Sequence, residues 1–212
     1  MTRLLRFMKP NILEAGIDEV ARGCLVGPVV AAAVIWNPEL ENIFDISIPD
    51  IKDSKKLKPE VRKQYSDFIK TYALDYNIAF VSEKEIDNIN ILNATFSAMH
   101  KAISGLTIQP EHLIIDGNSF KPFIADRFNK QIDYTTVVKG DNKYLSIACA
   151  SILAKVARDE YIYNLVDNDP SLEKYGWKKN NAYGTKDHID AIKKYGITEH
   201  HRKTFGICKE YT

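Results

Sequence analysis

The apolar run Ile12 to Ile17 ends in two adjacent carboxylates, Asp18 and Glu19, and a second apolar run, Val29 to Trp36, follows a short loop. That loop carries Ala21-Arg22-Gly23 and Gly27-Pro28. Two β-rich runs so close together predict a hairpin in a central sheet covered on at least one face. Acids at the end of a buried strand are costly to desolvate unless something positive meets them. A divalent cation is the usual answer, and an Arg-Gly loop beside it suits an anionic substrate.

The 212 residues are read as one domain, 1–212, with 174–212 as a basic, substrate-binding C-terminal portion. A net charge of +1 excludes a general polycation, so any nucleic-acid reading has to rest on local charge. Cys24, Cys149 and Cys208 are odd in number and widely spaced, which fits neither a zinc site nor a secreted disulfide framework. A reducing, cytoplasmic setting and a monomer are expected. Leu25 to Trp36 falls short of the roughly 20 residues that span a bilayer, so no membrane partner is expected. Met1 to Lys9 is basic and free of acids, like a transit peptide, but it runs almost directly into the acidic motif and is read as a plain N-terminal segment.

Further elements follow from caps and periodicity. Asn37 to Asp50 reads as a long loop, and Pro59 opens a helix to about Ala73. Asn77–Val81 is a strand. Ser82 with Glu85 forms a capping box that opens a helical region reaching Ser104. His112–Ile115 and Tyr134–Val138 are strands ending in Asp116-Gly117 and Lys139-Gly140-Asp141. Tyr144 to Val166 is the most buried helix, because its first half is small and apolar almost all round. Thr185 to Tyr195 is the last helix, ended by Gly196. A hairpin followed by alternating strands and helices is an α/β fold with a mixed sheet.

Asp18, Glu19, Asp116 and Asp141 share a position at or just past the end of a predicted strand. Taken alone, Asp116-Gly117 is a common turn and Asp141 a helix-start residue. Taken together, the four acids need cations, and an oxygen-only set favours Mg²⁺ or Mn²⁺. In a regular strand Asp18 and Glu19 point to opposite faces, so a bend at Ala21-Arg22-Gly23 is expected to let both reach one site. From Lys174 to Lys203 eight Lys/Arg face three acids, a local balance of +5, with Tyr175, Trp177, Tyr183, Tyr195 and three histidines interleaved. That pattern suits a nucleic-acid backbone, and a solvated helix face carries equal weight. Asp53-Ser54-Lys55-Lys56-Leu57 is a helix cap or a phosphate contact. Lys139 either offsets acidic charge or binds phosphate.

Six ordered blocks resemble type 2 ribonuclease H, ribonuclease HII. They are Gly16–Gly23, Asp53–Leu57, Ile115-Asp116-Gly117, Lys139-Gly140-Asp141 with the helix through Val156, Tyr183–His188 and His201–Phe205. The resemblance implies a ribonuclease H-like fold, a mixed five-stranded sheet flanked by helices with a small helical C-terminal part. It implies hydrolysis of RNA in RNA/DNA hybrids and incision 5′ of single ribonucleotides in duplex DNA. Asp18, Glu19, Asp116 and Asp141 match the family's catalytic, metal-binding acids. Ala21, Arg22 and Gly23 fall in the loop that reads the ribose 2′-hydroxyl, and Tyr183 matches the tyrosine that packs on the neighbouring sugar. Lys55 and Lys139 are candidate phosphate contacts. The family usually has glycine at position 21 and often at 182, where this chain has alanine. If position 21 takes a positive φ, its Cβ costs about 1–2 kcal/mol. The alternatives are a type 3-like specificity for longer hybrids, a hybrid-binding protein without turnover, and a DNA nuclease of the same broad fold.

Overall fold

A computed structural model describes residues 4–40, 51, 57–125 and 130–212. The strands are β1 (Glu14–Val20), β2 (Val29–Ile35), β3 (Asp75–Val81), β4 (His112–Asp116), β5 (Ile124–Ala125), β6 (Lys130–Gln131) and β7 (Asp133–Val137). The helices are α1 (Pro59–Tyr72), α2 (Glu83–Ser104), α3 (Leu145–Asn168), α4 (Trp177–Asn180) and α5 (Lys186–Tyr195). Five strands form one sheet in the order β3-β2-β1-β4-β7, and β5 pairs with β6. β1 is antiparallel to β2 and parallel to β4, and β4 is parallel to β7. The expected mixed α/β sheet is therefore present. Among the described residues no helix is long and apolar enough to cross a membrane.

Side chains alternate across the sheet as the two-residue period requires. Ala15, Ile17, Val29, Ala31 and Ala33 pack under α2 with Ala94, Ala98 and Met99. Val30, Ala32 and Val34 pack on the other face against α3, with Ile69 of α1 in the same cluster. β1 and α3 approach closely at Gly16. A Cβ there would lie 2.4 Å from both the Ile147 nitrogen and the Ser146 carbonyl carbon. A third apolar cluster joins Leu25, Val26, Ile162, Trp177, Ala182 and Ile192, seating the C-terminal portion against the far half of α3.

The caps follow the sequence except that the Ser82/Glu85 box is only half formed, because the Glu85 carboxylate turns to Ser97 and Lys101 instead of the Ser82 amide. The Ser82 hydroxyl accepts from the Glu85 amide, Pro59 begins α1, and Gly196 ends α5 at φ +76°. α2 is broken at Asn90 (φ +66°), whose Oδ1 accepts from the Leu92 and Asn93 amides and so caps a second helical segment. The segment before β1 is not free. The Glu14 carboxylate accepts from the Met8 and Lys9 amides, and Leu5 bridges to Tyr144. Of the loop expected at Asn37 to Asp50, residues 41–50 lie outside the described residues. So do Asp53, Ser54, Lys55 and Lys56.

Candidate active site

The topology explains why distant acids meet. β1, β4 and β7 are parallel, so their C-terminal ends share one edge of the sheet. Ile17 pairs with Ile115 and Asp116 with Val137, which places Asp18 level with Asp116. Lys139, left-handed at φ +55°, turns the chain after β7 into a short 3₁₀ turn, Gly140–Asn142, that carries Asp141. Asp18 and Glu19 lie inside β1, not past its end, paired opposite Ala32 and Ala31. The expected bend comes after both acids, at Ala21 (φ +71°), because the ladder with β2 continues through Val20.

The carboxylates feel one another. Burial, then repulsion from Glu19 and Asp116, holds the Asp18 carboxyl well above its usual range, against hydrogen bonds from Ser151 and the Glu19 amide. Burial also raises Glu19, and Asp116 adds to it, while Arg22 opposes with an ion pair of 3.4 Å. Asp116 is raised first by burial and further by Asp141, and it accepts the Gly140 amide at 2.6 Å. Asp141 is buried and accepts from the Asn142 side chain at 2.9 Å. Among the described residues no three His, Cys, Asp or Glu side chains close to metal-holding spacing. Asp18, Glu19 and Asp116 thus disfavour one another's charge, and Asp141 acts on Asp116 from the next turn, while the set is spread along the edge. A hard-oxygen set whose ionised form is penalised fits Mg²⁺ or Mn²⁺.

The loop after β1 forms a wall beside the acids. Cys24 bridges to Tyr183 and Val26 to His201, and the Leu25 amide donates to the Ala182 carbonyl at 2.9 Å. Two fully buried arginines secure it. Arg158 donates to the carbonyls of Asn181 and Val26, and Arg202 to those of Gly27 and Arg22. Burial lowers the Arg202 pKa to about 10. Arg22 and Gly23 stand exposed on this loop, and space is open where a Gly23 Cβ would point. Tyr183 is 42% exposed, and burial, with Cys24 next to it, pushes its hydroxyl pKa up to about 12. Lys139 is exposed on the same edge as the acids.

The basic, aromatic stretch divides. Tyr175, Trp177, His188 and His201 are buried and build the core of the C-terminal portion, so they are not surface contacts as the interleaving suggested. Aromatic rings bring a large apolar area to such a short unit, here beside Leu172, Ala182 and Ile192. Tyr183 and Tyr195 remain exposed. Several lysines are paired locally, Lys178 with Asp167, Lys186 with Asp190 and Lys179 with Asp187. Sequence reasoning missed Ser151, Arg158 and the inward role of Arg202. The available signal was spacing: Ser151 and Arg158 are seven residues apart on the apolar helix, hence on one face.

A family model described as ribonuclease HII matches residues 15–208. The chain belongs to the ribonuclease HII family and is a ribonuclease H-type endoribonuclease. The ribonuclease HII of Christiangramia forsetii is 46% identical over 98% of this chain and 97% of its own. That of Parabacteroides distasonis is 47% identical over 98% and 96%. The solved ribonuclease H2 of Pyrococcus horikoshii superposes with a TM-score of 0.72 at 26% identity, covering 93% of this chain and 96% of that one.

Local strain and a buried base each carry a prediction. Ala21 (φ +71°) and Ala182 (φ +58°) are both left-handed. Ala21→Gly removes about 1–2 kcal/mol of steric cost and gives back about 0.5–1 in backbone entropy. A net gain near 0.5–1 kcal/mol is expected in urea denaturation. Ala182→Gly loses a methyl packed in the C-terminal cluster, about 0.8 kcal/mol, and is expected to gain nothing. The second prediction concerns His201, whose pKa burial lowers from 6.5 to about 3. A base depressed in the folded state adds stability above about pH 6.5, which is lost as pH falls toward 3. The decline of Tm between pH 6.5 and 4 is expected to be shallower in His201→Phe than in the unmodified protein.

Proposed function

We propose that the protein, as a cytoplasmic monomer, cuts the RNA strand of RNA/DNA hybrids and incises 5′ of single ribonucleotides in duplex DNA, in the service of ribonucleotide removal. The observation that carries this reading is the delivery of Asp18, Glu19, Asp116 and Asp141 to one sheet edge beside a loop stitched to Tyr183. These four side chains are the ones that would hold two divalent ions, Mg²⁺ or Mn²⁺. Such ions lower the pKa of an attacking water and neutralise charge on the scissile phosphate and leaving oxygen. The products then carry 5′-phosphate and 3′-hydroxyl ends.

The chain's own residues supply position. Ser151 and the Glu19 amide orient the Asp18 carboxylate, and the Gly140 amide orients that of Asp116. Arg22 partly neutralises Glu19 through its 3.4 Å ion pair. A 2′-hydroxyl both donates and accepts, so backbone groups of Arg22 and Gly23 in a fixed loop are suited to detect it. Tyr183 offers a ring face to the adjoining sugar. Lys139, and Lys55 outside the described residues, are assigned to phosphates, with the exposed lysines of 174–212 along the duplex.

The test is cleavage, with Mg²⁺ or Mn²⁺, of a labelled duplex holding one ribonucleotide and of a matched hybrid. Cutting of both supports the reading. Cutting of the hybrid alone assigns the type 3-like specificity that the Cβ of Ala21 favours, and binding without turnover of either rejects the enzyme. Gly23→Ala separates loop from fold. Its Cβ meets nothing in the protein within 4 Å, so stability should stay within about 0.5 kcal/mol. Cleavage of the single-ribonucleotide duplex should fall about tenfold or more, because the methyl occupies the space the ribose approaches.

A further inference from the structure

We propose that His188, held in one proton arrangement by Trp177 and His201, is the positioning residue for Tyr183, and through it sets how the junction sugar is gripped. The inference rests on the reading of Tyr183 as a substrate contact and adds what fixes that contact.

The partners of the rings assign their protons. His188 Nδ1 lies 2.9 Å from the Tyr183 carbonyl oxygen, which only accepts, so Nδ1 carries the proton. The Trp177 indole N–H donates to His188 Nε2 at 2.9 Å, so Nε2 offers its lone pair. His201 Nδ1 accepts from the Thr198 amide at 2.9 Å, which puts the His201 proton on Nε2, 3.4 Å from His188 Nε2. Every member is therefore neutral, and the single lone pair of His188 Nε2 is taken by the Trp177 N–H at 2.9 Å, with the His201 N–H the longer, secondary approach at 3.4 Å. His188, His201 and Trp177 are buried, and Tyr175 stacks on Trp177 with centroids 5.3 Å apart.

This rigid unit ends at the backbone of an exposed residue. The Tyr183 carbonyl receives the His188 proton and also the Thr185 amide at 2.8 Å. The Thr185 hydroxyl in turn accepts from the His188 amide, so the turn and the first residues of α5 are closed into one ring of bonds. The Tyr183 side chain stands 42% exposed beside Cys24, on the backbone that receives both of these hydrogen bonds. A neutral imidazole that donates inward and accepts behind is what ties that backbone to the packed interior.

The experiment is a double-mutant cycle in kcat and KM on the duplex with one ribonucleotide. Tyr183→Ala and His188→Leu are each expected to lower kcat/KM by about tenfold or more, since misplacing a positioning group by ~1 Å costs up to about 100-fold. The double variant should be no worse than Tyr183→Ala, because placement is irrelevant once the ring is gone. His188→Asn, whose side-chain amide donates from the place of Nδ1, should recover most of the loss. If the two losses multiply, or folded His188→Asn recovers nothing, the proposal is overturned. Unmodified kinetics in Tyr183→Ala overturn the substrate contact itself and the proposal with it. Should His188→Leu fail to fold, Trp177→Phe takes its place in the cycle, removing the donor behind His188 together with part of a buried ring, so its kinetics are read per folded molecule. Additive losses in that cycle overturn the proposal equally.

Discussion

Asp18→Asn is expected to lower turnover by about a thousandfold or more while raising the melting temperature. The carboxyl is 5% exposed and is held above its usual pKa by burial, Glu19 and Asp116. Its ionised form is thus paid for in folding free energy, and the amide removes that penalty at the same volume. The amide oxygen still accepts from the Glu19 amide, as Asp18 Oδ1 does at 2.7 Å, so the local hydrogen bond survives. A gain near 1 kcal/mol corresponds to about 2–4 °C in a chain this size. The loss in rate follows because an amide is a weak ligand for a hard cation, and the several kcal/mol of charge stabilisation such a cation supplies is about three decades at 1.36 kcal/mol each. Substrate affinity should change little on the proposed reading, in which the loop and the basic face carry it. Initial rates with Mg²⁺ and with Mn²⁺, together with melts in a chelator, measure both effects. Unchanged cleavage would remove Asp18 from the reaction centre. A lower melting temperature would show that its charge is compensated in the fold.

The sheet was legible because its strands are short apolar runs with turn residues between them, and the parallel pairing of β1, β4 and β7 is what brings Asp18 level with Asp116 at one edge. The exact end of β1 was not legible. Apolar character stops at Ile17, but Val20 still pairs with Val30, since a ladder depends on backbone partners and β2 continues past the acids. The C-terminal stretch misled in one respect. Its charge lies outside, but Tyr175, Trp177, His188 and His201 turn inward, and composition cannot say which way a ring faces. Arg158 and Arg202 run against the ordinary expectation that arginine is exposed. Their guanidinium groups are kept inside by backbone carbonyls from a loop more than a hundred residues away in sequence, which no local pattern encodes. The alanines at 21 and 182 were legible as departures from a family pattern, and their left-handed backbones give that departure its physical content.

Gly16→Ala is expected to be the most destabilising single change, about 3 kcal/mol or more in urea denaturation, with most of the expressed protein insoluble. The added Cβ would meet the Ile147 nitrogen and the Ser146 carbonyl carbon at 2.4 Å and the Ser146 hydroxyl at 2.6 Å. A side chain in that position could rotate away, but two of these atoms are backbone in the first turn of α3. Relief therefore requires moving the helix off the sheet, and the cost of overpacking rises beyond its usual 1–3 kcal/mol when backbone must shift. The consequence reaches the site. Ser151 is on the next turn of α3 and hydrogen-bonds Asp18, two residues from Gly16 on the same face of β1. Displacing α3 separates that donor from that acid. Whatever fraction of Gly16→Ala folds should have a lower turnover number per folded molecule, not only a lower yield. Gly23→Ala adds the same methyl where nothing lies within 4 Å and is the matched comparison. A Gly16→Ala protein as stable as the unmodified one would mean that α3 and β1 are not packed at backbone distance, and the placement of Ser151 against Asp18 would go with it.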